Sequence, residues 1–243
     1  MSNKHKTLVF LILFFSIIKQ LFAHELKKDE IDLIIKNFIL DNPQIIEKTL
    51  QDLNLKRSQK NFTVALNDLK NVPNPKLIKG NPDITVYEFF DYNCGYCKSV
   101  MQNIFNIYKK DKNVEIVFVE YPILSNSSLS AAKASLAARN QNKYFEFHSK
   151  LMKHTGKIDD KLLLSFAKDL KIDTKKLKSD YSNEKLMLII NKNREIANRL
   201  NLRGTPAFII GNKIYPGAMS QKAREQAAFN RGERKARKDL KDP

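Results

Sequence analysis

Cys94-Gly95-Tyr96-Cys97 holds both cysteines of this 243-residue chain. An apolar run, Ile84-Thr85-Val86-Tyr87-Glu88-Phe89-Phe90, precedes it, and Val100, Ile104, Ile107 and Tyr108 follow at helical spacing. Strand, Cys-x-x-Cys, helix is the setting in which such a pair acts as a redox centre. A helix N-terminus gathers unpaired N–H groups and a partial positive charge, so it stabilises a thiolate placed there. Cys94 is therefore the expected attacking thiolate. Cys97, one turn on, is placed to close or open a disulfide with it. Two other uses of the pair are weaker. A structural zinc site takes about four ligands, and this chain has no third cysteine and four scattered histidines. A permanent bridge across so short a loop adds little stability.

Residues 1–23 have the pattern of a targeting segment. Lys4, His5 and Lys6 form a basic start, Leu8 to Phe15 is wholly apolar, and Ala23 is a plausible cleavage residue. The apolar run is shorter than the roughly 18–20 residues of a membrane span. A cleaved signal peptide is favoured over a retained membrane anchor, and a periplasmic location is expected. The net charge is +17, and removing Lys4, Lys6 and Lys19 with the leader leaves about +14. The lysines read as solvated faces, with attraction to acidic clients or an anionic membrane as the alternative. Nucleic acid is not expected as a partner, because no basic stretch is interleaved with aromatics or carries a base-reading motif.

Residues 24–72 carry helical patterns and no strand signal. Ile31, Ile34, Ile35, Phe38 and Ile39 form one stripe. Asp41-Asn42-Pro43 ends that helix and starts the next, with Ile45, Ile46, Leu50 and Leu53. Phe62, Ala65, Leu66 and Leu69 make a third run. These stripes exceed what three short helices can bury among themselves. Val72-Pro73-Asn74-Pro75 marks a linker. A main domain is expected over 78–243. In it, Val114 to Val119 is a second strand and residues 125–199 form a helical insertion. Pro206 to Ile210 and Lys213 to Tyr215 form a hairpin about Gly211-Asn212. Strand, one helix, strand predicts a parallel βαβ unit. A basic helix is expected over 220–240. His148 sits at the edge of a helical segment, and Met101, Met152, Met187 and Met219 are too dispersed for a copper-binding cluster.

From about residue 78 onward the chain resembles the thioredoxin-fold disulfide oxidoreductases of the DsbA-like branch. The resemblance rests on Glu88-Phe89-Phe90-Asp91-Tyr92-Asn93-Cys94-Gly95-Tyr96-Cys97, then a helical insertion, then Gly204-Thr205-Pro206. The stretch Phe38-Ile39-Leu40-Asp41-Asn42-Pro43-Gln44-Ile45-Ile46 resembles the helical extension of ScsC-like members. Those include oligomers with isomerase or copper-linked activity. The fold class implied is α/β: a thioredoxin-like fold with a helical insertion, preceded by an all-helical extension. By resemblance Cys94 is the exposed attacking cysteine and Cys97 the buried resolving one. Pro206 matches the cis-proline that faces the disulfide and the client. Thr205, before it, matches the residue that tunes redox behaviour. Glu88, six residues before Cys94, matches a buried acid that moves the Cys97 proton; its alternative is a solvent-facing strand position. One departure stands out. DsbA oxidases carry Pro-His between the cysteines, whereas Gly95-Tyr96 resembles the dipeptide of DsbC-type isomerases, so a strongly oxidising centre is not implied.

The leading expectation is an exported protein thiol-disulfide oxidoreductase that exchanges disulfides with cysteine-containing clients and a separate redox partner protein. It needs no metal and no organic cofactor. The alternatives are a disulfide isomerase of an oligomeric ScsC/DsbC-like type, a trimer by resemblance, and a non-catalytic copper-binding or client-holding chaperone.

Overall fold

The computed structural model describes residues 14, 27–110 and 112–217. The leader expected over 1–23, Met219 and the basic helix expected over 220–240 lie outside them, Phe14 apart. The chain divides between Ser58 and Gln59 into two compact units.

The first unit contains α1 (Lys28–Asp41) and the start of α2 (Pro43–Asn71). Asn42 closes α1, its amide donating to the Phe38 carbonyl at 2.8 Å. Pro43 opens α2 at the position where a missing N–H costs nothing. No residue of α1 is buried. Leu33, Ile34, Phe38 and Leu40 are each more than half exposed.

The third apolar run is not a separate helix. It is the last part of α2, which runs unbroken for 29 residues. Ala65 and Leu69 are buried there, with Phe62 and Leu66 packed beside them against Tyr87, Phe89, Val117, Val119, Ile196 and Ile209. The stripe therefore belongs to the core of the second unit, ahead of the linker at 72–75.

That unit is built on a five-stranded sheet. Its strands are β1 (Lys76–Leu77), β2 (Ile84–Phe90), β3 (Val114–Glu120), β4 (Ala207–Ile210) and β5 (Lys213–Pro216), in the order β1-β3-β2-β4-β5. β2 and β3 are parallel and the other pairs antiparallel. The parallel pair is joined by α3 (Gly95–Lys110), the expected βαβ unit. β1 was not anticipated; two residues are too few to show a period. The β4–β5 turn has a positive φ only at Gly211 (59°), so glycine is needed at its first position.

The insertion contains α4 (Asn126–Ala138), a single 3-10 turn, α5 (Tyr144–Lys153), α6 (Asp160–Asp169), α7 (Thr174–Tyr181) and α8 (Glu184–Arg199). Four starts are capped by a side-chain oxygen: Ser125, Asp159, Asp173 and Asn183 each accept a backbone N–H of the first turn. One sheet face, with Ile84, Val86, Phe90, Phe118 and Phe208, packs with α3 and the insertion. The other packs with the end of α2 and with α8. Among the described residues no helix is long and apolar enough to cross a membrane.

Leu69 is 1% exposed. Replacing it with Ala is expected to cost about 2–4 kcal/mol of stability, read from urea unfolding of the second unit. An unchanged midpoint would show that the end of α2 is not part of this core.

Candidate active site

β2 ends at Phe90 and α3 starts at Gly95, so four residues must turn the chain from strand to helix. Asp91 makes this turn. It is buried, and Cys94 N–H donates to its backbone carbonyl at 3.1 Å. Its side chain accepts from three backbone N–H groups: Asn93 at 2.7 Å, Ile123 at 2.9 Å and Leu124 at 3.0 Å. The Asn93 amide then reaches the hydroxyls of Ser125, Ser127 and Ser128, within 3.0 Å of each. The turn before Cys94 and the start of α4 are thus tied together.

Cys94 stands at the mouth of α3. The Cys97 N–H donates to its Sγ at 3.4 Å, as expected at a helix N-terminus. The Cys94 thiol donates to the Thr205 carbonyl at 3.2 Å. The Thr205–Pro206 peptide bond is cis. Four of the five expected site residues, Cys94, Cys97, Thr205 and Pro206, therefore meet at one point. One expectation needs correction: Cys94 is not exposed. It is 6% accessible, against 0% for Cys97, because the Thr205 loop covers it.

Burial pushes the Cys97 thiol far above its ordinary range, and the hydrogen bond from Cys94 adds to this, while the Asp91 backbone and Thr205 oppose it. The Thr205 hydroxyl is buried with no other hydrogen-bond partner among the described residues, so it is placed to donate to the Cys97 sulfur when that carries charge. Glu88 faces inward, not to solvent. Its pairing with Phe118 and Phe208 puts it on the sheet face that packs with α3. It is 2% exposed and has no side-chain hydrogen bond among the described residues. Burial raises its carboxyl from about 4.5 to about 8.

The space in front of the pair is open. A Cβ added at Gly95 or Gly204 would meet no heavy atom within 4 Å. Tyr96 is 72% exposed, and Ile123 and Leu124, on the loop held by Asp91, are also exposed.

Sequence reasoning missed a buried polar cluster behind Asp91. Tyr92 and Tyr144 donate to one oxygen of Glu120 at 2.9 and 2.8 Å, and His148 Nδ1 lies 3.0 Å from the Tyr92 hydroxyl. Burial raises the Glu120 carboxyl well above its usual range, opposed by the two phenol hydrogen bonds. His148 lies among Phe90, Phe118 and Tyr144, and burial lowers it to about 3. The one available signal was a Glu at the end of an apolar strand, which spacing alone does not set apart. Among the described residues no group of three or more His, Cys, Asp or Glu side chains is placed to hold a metal ion.

Comparison with known proteins agrees with this geometry. Disulfide bond formation protein D of Bacillus subtilis is 28% identical over 152 residues, 58% of this chain and 68% of that protein. Na(+)/H(+) antiporter NhaA 1 of Salinispora arenicola is 24% identical over 142 residues, 58% of this chain; the chain spans only 22% of that relative's length. Among solved structures, a thioredoxin-like oxidoreductase from Silicibacter pomeroyi superposes with a TM-score of 0.65 at 36% identity, over 68% of this chain and 96% of that one. A linker-deletion mutant of Proteus mirabilis ScsC superposes with a TM-score of 0.63 at 23% identity, over 85% of this chain and 99% of that one, and shares the fold including a helical N-terminal region. Residues 85–228, more than half of the chain, match the model of the DSBA-like thioredoxin domain. The chain belongs to the family of DsbA-like thioredoxin domains.

Proposed function

We propose that this chain is an exported protein thiol-disulfide oxidoreductase with Cys94 as nucleophile and Cys97 as resolving cysteine. The observation that carries this reading is the placement of Cys94 Sγ between the Cys97 N–H and the Thr205 carbonyl, with open space in front of Gly95 and Gly204. In the reducing direction the Cys94 thiolate attacks one sulfur of a client disulfide. The client S–S bond breaks and its other sulfur leaves as a thiolate. Cys97 then loses its proton and attacks the Cys94 sulfur, releasing the second client thiolate. The client gains two electrons and the Cys94–Cys97 pair loses them. The reverse sequence oxidises a client. Tyr96, Ile123 and Leu124 offer apolar contact to an unfolded client chain.

Because burial holds Cys97 protonated, its attack needs a base. Glu88, with a pKa of about 8 on the face beneath α3, exchanges a proton near neutral pH. Its raised pKa also has a stability consequence. The folded chain holds this proton while the unfolded chain releases it, so stability is highest below about 4.5 and falls until pH passes about 8. Glu88→Gln removes that penalty and is expected to raise stability at pH 7 by up to about 3 kcal/mol. The same variant is expected to slow resolution of the mixed disulfide by roughly a hundredfold or more. Cys97→Ser, with its Cys94 thiolate attacking one sulfur of an insulin disulfide and the other insulin sulfur leaving as a thiolate, is expected to accumulate mixed disulfides with disulfide-bonded insulin, and Cys94→Ser none. Trapping through Cys97 instead, or no insulin reduction by the unaltered chain, would overturn the assignment.

The direction of exchange is a finer question, and the first unit favours isomerisation. Leu33, Ile34, Phe38, Leu40, Leu50 and Leu55 are all more than half exposed, an apolar surface that water disfavours. We infer that it is covered by other copies of the same helices, in a trimer. Several redox centres then share one client, which raises the local thiolate concentration. Light scattering on the chain from residue 27 is expected to report three copies. Deleting 27–58 should leave monomers that still reduce insulin but no longer refold scrambled ribonuclease. A monomer before deletion removes the basis for the isomerase reading.

A further inference from the structure

Lys98 follows the Cys-x-x-Cys directly and lies four residues after Cys94, whose carbonyl accepts its backbone N–H at 3.1 Å. Positions four apart on a helix share a face, with Cβ atoms about 5–6 Å apart. Long helical side chains lean back toward the N-terminus. The Lys98 stem therefore runs over the first turn of α3, toward Cys94. Its ammonium is not left to solvent: Nζ donates to the His154 carbonyl at 2.7 Å. His154 is the C-cap of α5, and its N–H bonds to the Lys150 and Leu151 carbonyls at 3.0 and 3.2 Å. Its ring packs edge-on to Phe166, and Nε2 lies 3.3 Å from the Lys157 carbonyl. A cation at a helix C-terminus is favoured by the helix dipole. The same ammonium thus sits between the negative end of α5 and the thiol-bearing end of α3.

The ionisable groups around Cys94 can be taken element by element. From α3 come Cys97, which burial keeps protonated, and Lys98. From β2 comes Glu88, protonated up to about pH 8. From the turn comes Asp91, whose carboxyl oxygens are occupied by three backbone N–H groups. Behind it, Glu120 is driven toward its neutral form by burial, and His148 stays neutral down to about pH 3. Arg194 and Arg203 act on Tyr121, and Arg194 donates to the Pro122 carbonyl at 2.8 Å. Burial lowers the Lys98 ammonium, while Asp91 and Cys94 both favour its charged form.

We propose that Lys98 is a tuning residue for thiol exchange: its ammonium, held by the His154 carbonyl of the helical insertion, stabilises the Cys94 thiolate and with it the reduced form of the pair. This rests on the redox role proposed for Cys94. The reach of the effect follows from Coulomb's law. The attraction is mutual: Cys94 favours the charged form of Lys98, so Lys98 favours the charged form of Cys94, and a unit charge within one helical turn is worth about one pH unit.

Lys98→Met keeps the stem and removes the charge; Lys98→Arg keeps the charge. In Lys98→Met the Cys94 thiolate, followed by its ultraviolet absorbance or by pulse alkylation, is expected to form about one pH unit higher than in the unaltered chain. In equilibrium with glutathione the pair is expected to become about tenfold harder to reduce, about 30 mV more negative. The melting temperature should fall further in the reduced protein than in the oxidised one, since loss of the His154 contact is common to both. Lys98→Arg should restore most of each value. An unchanged titration in Lys98→Met, in a chain that still reduces insulin, overturns the tuning role and leaves the redox reading intact. Equal destabilisation of both redox states, with an unchanged titration, makes Lys98 only a strut between α3 and α5, and overturns it as well. Failure of the unaltered chain to reduce insulin overturns the redox reading, and the tuning role falls with it.

Discussion

The Asp91 side chain is the contact on which the rest of the site depends. A strand that ends beside a helix start leaves several backbone N–H groups without partners, and each one buried unmet costs about 1–3 kcal/mol. Asp91 satisfies three of them, one in its own turn and two in the loop after β3. The N–H groups of Ile123 and Leu124 find their acceptor in Asp91, so the loop carrying these apolar side chains is held by a residue of the turn after β2. Asn93 extends the same tie to the serines that open α4. The position of Cys94 is the consequence. Its N–H is bonded back to Asp91, which places its sulfur over the Cys97 N–H and beside the Thr205 carbonyl.

From that placement comes the difference between two chemically identical thiols. Cys94 directly precedes the first residue of α3 and receives an N–H of its first turn at its sulfur. Cys97 points into the core with Val100, Met101 and Ile104, where a charge finds little solvation. A pair with equal environments would offer a client either sulfur. In the function proposed above, Cys94 is the sulfur that meets the client while burial keeps Cys97 protonated, so the order of steps follows from the burial. Glu88 fits the same logic, since a carboxyl in an apolar layer holds its proton into the range where proton exchange with a thiol becomes useful.

How much of this was legible before folding varies by residue. The Cys-x-x-Cys between a strand and a helix, the parallel unit about α3 and the hairpin at Gly211 could be read because each has a short local signature. The meeting of Cys94 with Thr205 joins positions 111 residues apart, and no local pattern reports such a contact. Glu88 could not be assigned a face from periodicity, because β2 is buried on both sides and Ile84 to Phe90 does not alternate. The end of α2 was set apart as its own run because the polar stretch from Lys56 to Lys60 interrupts the apolar stripe. A helix needs no apolar face where none is packed, so it continues through. Lys98 carries no signal at all. One lysine among so many becomes distinct only when the His154 carbonyl arrives beside it.

The polar cluster behind the site completes the electrostatic picture. Tyr92 spends its single proton on Glu120, so the hydrogen bond between Tyr92 and His148 is donated by Nδ1–H of the neutral ring. Tyr144 donates to the same Glu120 oxygen. With Glu120 driven toward its protonated form and His148 far below neutrality, this network supplies hydrogen bonds without a lasting charge. Glu88, Glu120 and His148 therefore add little charge beneath Cys94 at neutral pH, which leaves the Asp91 carboxyl, with its three N–H donors, as the acidic group there. An apolar, neutral layer screens poorly, so the few charges at its rim act strongly across it. The many surface lysines do not act this way. In salt near physiological strength their fields fade within about 8 Å. The +17 net charge thus bears on which acidic surfaces the chain meets, while the chemistry at the sulfur is set by the end of α3 and by the groups touching its first turn.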